Sequence, residues 1–143
     1  MKARGRVVFD TGALVSAALR ESSPEDRALS LVLRYGVVCL CEQSIAKLRT
    51  ALARSKFDSY MRKRARMAFV AMLLRNAWIC PASAMEPKRL RLRRHNRGSS
   101  LILALAAAAE ADAIVSSKTD LLTRKAWRGI PILTSAEFVD RFA

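Results

Sequence analysis

Acidic residues are scarce in this sequence. The chain has 12 Asp and Glu against 26 Lys and Arg in 143 residues, which gives a formal net charge of +14 at pH 7. A folded core does not require such an excess, and a strongly positive surface raises the rate of encounter with polyanions. The charge therefore favours a nucleic acid or an acidic protein as the partner, without indicating any sequence specificity.

Long apolar runs are also missing. The longest candidate, residues 101–109, covers about half of the roughly 20 residues that a membrane-spanning helix needs. The N-terminal stretch is strand-like and lacks the hydrophobic core of a signal peptide, so we expect a cytoplasmic protein with no membrane partner. Low-complexity tracts are absent and 52% of the residues are apolar, which predicts a single folded domain over residues 1–143.

Cysteine and histidine are too few for a zinc site. Cys39 and Cys41 lie two residues apart, the remaining cysteine is Cys80, and the single histidine is His95. A zinc site of this spacing needs a second pair of ligands. All three cysteines lie in apolar runs, so we expect buried free thiols, and we expect His95 to be solvated.

The chain does contain a regular alternation of short apolar runs, typical of buried strands, with longer runs of helical spacing. The strand-like runs are 6–9, 37–40, 78–80, 111–115 and 130–133. The helical segments are 11–20, 25–34, 42–53, 58–75, 101–110, 118–125 and a last one from 134. This alternation predicts an α/β fold, a three-layer α/β/α sandwich around a central parallel sheet of about five strands.

Capping residues predict where two of these helices begin and end. Ser23 and Pro24 begin the second helix, and Gly36 ends it in the left-handed conformation that glycine tolerates. Thr134 begins the last helix in a capping box with Glu137.

Polar residues follow the ends of the predicted strands. Asp10 ends the first strand, residues 116–120 follow the fourth, and the helices at Glu42 and Ser99 begin in the equivalent place. In a parallel sheet these positions converge at the carboxyl edge, where ligands bind. Asp10 has two interpretations at this point, a helix N-cap or a functional carboxylate. Residues 10–12 also match the Asp-Thr-Gly signature of aspartic proteases, but that site requires an all-β fold, which the predicted helices contradict.

Four stretches together resemble the PIN-domain family, in particular the toxin components of bacterial toxin–antitoxin pairs. They are VVFDTGALVSA at 7–17, LARSKF at 52–57, residues 101–122 with ADAIVSSKTDLL, and ILTSAEF at 132–138. The resemblance covers essentially the whole chain. It implies an RNA-cleaving fold in which clustered Asp and Glu hold Mg²⁺ or Mn²⁺, and the metal activates water.

Only two of the acidic positions of that family keep a carboxylate here. The matching residues, in chain order, are Asp10, Gly12 in place of the usual Asn, Lys47, Ser100 (Ser99 if the register slips by one), Lys118 and Asp120. A divalent ion needs anionic oxygen ligands and is repelled by ammonium groups, so the resemblance implies a degenerate metal site. Because two aspartates and two lysines sum to zero charge, we predict ion pairs between them in place of the metal.

The resulting hypothesis is a PIN-like protein with a degenerate nuclease site, which needs no cofactor and binds RNA or a partner protein. The first alternative is a Mg²⁺- or Mn²⁺-dependent endoribonuclease that uses Asp10, Asp120 and Glu42. The second is an interaction module alone, paired with an acidic antitoxin-like protein or with a second copy of itself. A nucleophilic pair of Ser100 and Lys118 is also conceivable, because both would face the pocket.

Two clusters of basic residues are candidates for an RNA interface, since lysines and arginines in a row can follow a phosphate backbone. The first lies in the connection before residue 98, and the second lies on the outer face of a helix predicted from Asp58 or Ser59 through Arg75. Aromatic residues do not interleave with the arginines, so no base-stacking platform is predicted. The two clusters are Lys88, Arg89, Arg91, Arg93, Arg94 and Arg97, and Arg62, Lys63, Arg64 and Arg66.

Overall fold

A computed structural model describes residues 5–85 and 97–143, and in these ranges strands and helices alternate. The strands are β1 (Gly5–Phe9), β2 (Gly36–Cys41), β3 (Ala77–Cys80), β4 (Ala113–Val115), β5 (Ala126–Trp127) and β6 (Ile130–Leu133). The helices are α1 (Thr11–Leu19), α2 (Pro24–Tyr35), α3 (Glu42–Leu52), α4 (Lys63–Arg75), α5 (Arg97–Ala109), α6 (Thr119–Leu122) and α7 (Ser135–Phe142). Two short 3₁₀ turns lie at Ser55–Phe57 and Ala82–Met85.

The six described strands form one sheet in the order β3-β2-β1-β4-β6-β5. The first five of these are parallel, and β5 pairs antiparallel with β6 at the edge. The predicted α/β class and the parallel sheet are confirmed, with β5 as an additional short strand. Because these strands are parallel, the carboxyl ends of β1, β2 and β4 lie at the same edge of the sheet, where ligands of such sheets bind.

The two faces of the sheet carry separate halves of the core. Val7 and Phe9 pack with α1, α2, α3, α4 and α7, whereas Val8 packs with α5 on the opposite face. This alternation follows from the period of two along a strand, because neighbouring side chains point to opposite faces. The result is the predicted three-layer sandwich. In the described ranges, none of the helices combines the length and the apolarity needed to cross a lipid bilayer.

Most capping predictions are confirmed, and one is wrong. Ser23 accepts a hydrogen bond from the Asp26 amide at the start of α2. Thr134 and Glu137 form the predicted capping box at the start of α7. Gly36 is not a left-handed cap, because its φ of −140° is extended and the residue already belongs to β2. The helix therefore runs directly into the strand without a reversing residue.

The segment predicted as a helix over 118–125 is shorter than expected. Helix α6 ends at Leu122, and Lys125 has a φ of 61° that turns the chain into β5. The two residues between β5 and β6, Arg128 and Gly129, have φ values of 50° and 79°. Two consecutive positive φ angles are the requirement of a tight type I′ hairpin. The positive φ angles of these turns therefore end the helix earlier than the apolar pattern predicts.

Arg66 is buried, which corrects its assignment to an exposed RNA-binding face. Its side chain is 0% exposed, although it lies among exposed basic residues in the sequence. The guanidinium group donates to the Leu52 carbonyl at 2.7 Å, to the Met61 carbonyl, and to the Asp58 carboxylate at 2.7 Å. These bonds hold residues 52–62 as an irregular loop, and the following helix begins at Lys63 rather than at Asp58 or Ser59.

Candidate functional site

Asp10 lies at the carboxyl end of β1 and caps helix α1. Its Oδ1 atom accepts a hydrogen bond from the Ala13 amide at 2.7 Å, so the N-cap interpretation is confirmed. Its Oδ2 atom accepts from the Ser116 hydroxyl and from the Ser117 amide, the latter at 3.2 Å. The residue is only 1% exposed. Both carboxylate oxygens are thus occupied by donors of the protein itself.

Ser116 is a site residue that the sequence pattern did not single out for this role. It follows β4, and its hydroxyl donates to Asp10 while it accepts from the Lys118 amide at 3.0 Å. Its own amide donates to the Leu133 carbonyl at the end of β6, at 2.9 Å. Ser116 therefore connects the ends of three adjacent strands. Only its place in the run after β4 could have indicated it.

The second retained aspartate, Asp120, is paired with Ser99. Asp120 lies exposed in the first turn of α6, and its Oδ2 atom accepts a hydrogen bond from the buried Ser99 hydroxyl. Ser100 does not bind Asp120. Its hydroxyl oxygen is buried and has no hydrogen-bond partner in the described structure. Of the two registers left open by the sequence, the structure brings Ser99 to the aspartate. Without such a bond, Ser100 and Lys118 form no nucleophilic pair.

The pKa of Asp120 is lowered, first because of the Ser99 hydrogen bond and to a smaller extent because of the Lys118 charge. We expect Ser99→Ala to raise the pKa of Asp120 toward its ordinary value, measured by carboxyl ¹³C NMR titration. A carboxyl with a lowered pKa stabilises the fold above its unfolded pKa and loses that contribution as the pH falls through the folded value. The variant should therefore lose less stability on acidification than the wild type.

The matched control for this titration is Ser100→Ala, which removes the neighbouring hydroxyl that has no partner. This variant should leave the pKa of Asp120 unchanged. An equal pKa shift in both variants, or none in Ser99→Ala, would contradict the assignment of Ser99 as the donor.

Lys47 and Lys118 are both exposed and do not neutralise the aspartates through ion pairs. Neither lysine forms an ion pair with Asp10 or Asp120 in the described structure, so the predicted ion pairs are wrong. The charge of Lys118 acts on Asp120 only as a smaller contribution to its lowered pKa. The physical reason is that hydroxyl and amide donors already satisfy the carboxylate of Asp10. The two ammonium groups are left at the surface.

Few potential metal ligands lie together in the described structure. The described part of the chain holds no group of three or more His, Cys, Asp or Glu side chains that could coordinate a metal. Coordination of an ion by Asp10 would compete with the hydrogen bonds from Ser116, Ser117 and Ala13. Gly12, which the resemblance matches to the family's usual Asn, has no side chain that could bind an ion.

Glu42, the remaining acidic candidate, lies exposed in the first turn of α3. It lines a cavity of about 660 Å³ together with Cys41, Cys80 and Met85, and neither Asp10 nor Asp120 lines that cavity. All three cysteines are free and buried, as predicted. Burial raises the pKa of the Cys39 thiol to about 11, which keeps it protonated at neutral pH.

The basic clusters are only partly described by the structure. Arg62, Lys63 and Arg64 are exposed around the start of α4. Residues predicted to bind RNA that lie outside the described part are Lys88, Arg89, Arg91, Arg93 and Arg94, together with the side chain of Arg97. The single histidine, His95, also lies outside it.

A scan against protein families matches the PIN domain over residues 6–120. This range includes Asp10, Lys47, both serines at 99 and 100, Lys118 and Asp120. The chain belongs to the PIN domain family. A search of curated proteins found no match.

Solved PIN-domain structures share the fold at low sequence identity. The complex VapBC2 from Rickettsia felis, bound to a DNA fragment from its promoter, has a chain that is 17% identical, with a TM-score of 0.59. The match covers 89% of this chain and 96% of the other. VapC20 from Mycobacterium tuberculosis, a toxin that cleaves the sarcin–ricin loop, is 13% identical with a TM-score of 0.56, covering 87% and 98%.

Proposed function

We propose that this PIN-domain protein has lost metal-dependent nuclease activity and acts by binding RNA without cleaving it. The observation that carries the proposal is the environment of Asp10. Its carboxylate is buried and accepts hydrogen bonds from Ala13, Ser116 and Ser117, which is the environment of a structural cap. An ion that binds Asp10 would have to share both carboxylate oxygens with these donors, which weakens Asp10 as a ligand.

Charge at the remaining family positions supports the same conclusion. Lys47 and Lys118 place ammonium groups where the family has carboxylates. Two unit charges at 4 Å interact by about 4 kcal/mol at an effective dielectric of about 20, so each substitution exchanges an attraction to the ion for a repulsion. The same ammonium groups, exposed and without an ion pair in the described structure, attract phosphate groups. The substitutions thus disfavour the metal and favour the polyanion.

RNA is preferred as the ligand because the site descends from RNA-cleaving PIN domains and the chain carries a net charge of +14. The match to VapC20, described as a toxin that cleaves the sarcin–ricin loop, is in line with this choice. The match to a VapBC2 complex supports a second candidate, an acidic antitoxin-like protein, for which the positive charge is equally suitable. A homodimer is compatible with either, and light scattering of the purified protein measures it directly.

A cleavage assay separates this proposal from a residually active endoribonuclease. We expect an end-labelled RNA to remain intact with the protein in either Mg²⁺ or Mn²⁺, at a rate indistinguishable from the buffer alone. Metal-dependent cleavage that disappears in Asp10→Ala would overturn the proposal. The same sample must bind the RNA in a fluorescence anisotropy titration, because a protein that neither cleaves nor binds RNA would favour the acidic protein partner instead.

The salt dependence of RNA binding tests the basic clusters. Each phosphate contact to single-stranded nucleic acid contributes about 0.7 to the slope of log affinity against log salt. We expect the triple variant Arg91→Gln, Arg93→Gln, Arg94→Gln to reduce this slope by about 2. An unchanged slope would remove the 88–97 cluster from the interface.

A further inference from the structure

The loop between α3 and α4 carries an exposed aromatic ring on a hydrogen-bonded turn. Tyr60 is 75% exposed, and it lies in a turn in which the amides of Tyr60 and Met61 both donate to the Phe57 carbonyl, at 3.0 and 3.1 Å. The buried Arg66 side chain supports the turn from below through the Leu52, Met61 and Arg54 carbonyls. The ring therefore lies at the surface on a hydrogen-bonded turn.

The chain on both sides of Tyr60 is rich in cations and contains a single acidic residue. Asp58 is the one acidic residue between Arg54 and Arg66, and its carboxylate is bound to the buried Arg66 guanidinium. The five other charged residues of the segment are positive and exposed. They lie two to six residues from Tyr60 in the chain, and the Cα atoms of Tyr60 and Arg64 are at most about 15 Å apart. The cations are Arg54, Lys56, Arg62, Lys63 and Arg64.

The positive charges at the start of α4 do not stabilise this helix. Helix α4 has no acidic residue in its first turn, and the side chain of Arg62 at its N-cap makes no capping hydrogen bond. Positive side chains at a helix N-terminus are unfavourable, because that end of the helix dipole is already positive. Arg62, Lys63 and Arg64 therefore carry an electrostatic cost in the free protein that a bound polyanion relieves.

We propose that the surface formed by Arg54, Lys56, Tyr60, Arg62, Lys63 and Arg64 binds single-stranded RNA, with an unpaired base stacked on Tyr60 and the adjacent phosphates on the cations. This inference rests on the proposed RNA-binding function and assigns it a location. An exposed aromatic ring within a positive surface is the arrangement that holds single strands, because every base has a stacking face. A duplex keeps its bases stacked inside, so it gains only the charge contribution.

Tyr60 is the residue that separates stacking from simple charge attraction. We expect Tyr60→Ala to weaken binding of a labelled oligouridine strand of about 12 nucleotides by at least fivefold, measured by fluorescence anisotropy. The same variant should bind an abasic strand of equal length as the wild type does, because that strand has phosphates but no bases. Tyr60→Phe should retain the affinity of the wild type for oligouridine, since it keeps the ring.

Tyr35→Ala is the matched control, because Tyr35 is also an exposed tyrosine (55%) beside an arginine, Arg34, whose guanidinium lies 5.5 Å from the ring centroid. This variant should leave oligouridine binding unchanged. Thermal unfolding curves of both variants should match the wild type, because neither ring is packed in the core.

The possible results distinguish a failure of the proposed surface from a failure of the proposed RNA-binding function. Oligouridine binding that is unaffected by Tyr60→Ala, or an equal loss on the abasic strand, overturns the proposed surface while RNA binding by the protein stands. A loss of the same size in Tyr35→Ala also overturns it. If the wild type binds neither strand, the proposed function itself fails, and the surface fails with it.

Discussion

Replacing Arg66 with methionine is expected to lower the free energy of unfolding by about 3–4 kcal/mol, the largest stability effect of a single substitution that we predict. The side chain is fully buried and donates to three backbone carbonyls and to Asp58. Methionine replaces only the aliphatic part of arginine and cannot donate, so it leaves carbonyls that are buried or partly buried without this donor, at about 1–3 kcal/mol for a buried one. Asp58 itself is 61% exposed and returns to water.

Urea unfolding followed by circular dichroism measures this loss. Arg64→Met is the matched control, because it makes the same change on an exposed residue of the same helix and should alter stability by less than about 0.5 kcal/mol. Arg66→Lys should recover only part of the loss, since an ammonium group cannot reproduce the planar fork that reaches several carbonyls. Equal stability of Arg66→Met and Arg64→Met would show that the buried hydrogen bonds contribute nothing measurable.

Returning carboxylates to two family positions should create a Mn²⁺ site. We expect the double variant Lys47→Glu, Lys118→Asp to bind Mn²⁺ at least about a hundredfold more tightly than the wild type, measured by isothermal titration or by Mn²⁺ electron paramagnetic resonance. The physical reason is the removal of two charges that repel the ion and the addition of two that attract it, at the positions that the family resemblance assigns to the metal site. Metal-dependent RNA cleavage by the double variant would be the strongest form of this result.

The control for this experiment carries the same change in net charge at a different place. Lys56→Glu, Lys63→Glu replaces two exposed lysines of the loop and α4, and it should leave Mn²⁺ affinity at the wild-type level. If both double variants bind Mn²⁺ equally, general attraction explains the gain. If neither binds, Lys47 and Lys118 are not what excludes the ion, and the hydrogen bonds that occupy Asp10 become the main cause.

The position of the candidate site was predictable because it depends on short-range patterns. A run of apolar residues that ends in Asp10 predicts a buried strand followed by a helix, and the structure has β1 and α1 in that place. The caps at Ser23 and Thr134 were equally accessible, since a capping side chain bonds to an amide three residues further on. Gly36 shows the limit of such local rules, because pairing with Gly5 in the sheet decides its conformation.

The partners inside the site could not be predicted in this way. Asp10 and Ser116 are 106 positions apart, and Ser99 and Asp120 are 21 apart, so no local period connects them. Charge counting suggested lysine–aspartate pairs, but the hydroxyl groups of Ser116, after β4, and Ser99, in α5, reach the carboxylates instead. Which donor satisfies a buried acceptor depends on the position of the backbone, and that position is known only once the sheet is assembled.

The sequence by itself determined the α/β alternation and the resemblance to the PIN-domain family. The alternation follows from apolar residues at fixed spacings, and the resemblance rests on four matching stretches of the chain. Only the tertiary structure decided that Arg66 is internal, that Ser99 rather than Ser100 binds Asp120, and that Tyr60 is exposed. The physical reason is that burial depends on the chain segments that pack around a residue. Arg66 belongs to a basic run in the sequence, yet it is buried because its guanidinium group bonds to Leu52, Met61 and Asp58 in the preceding helix and loop.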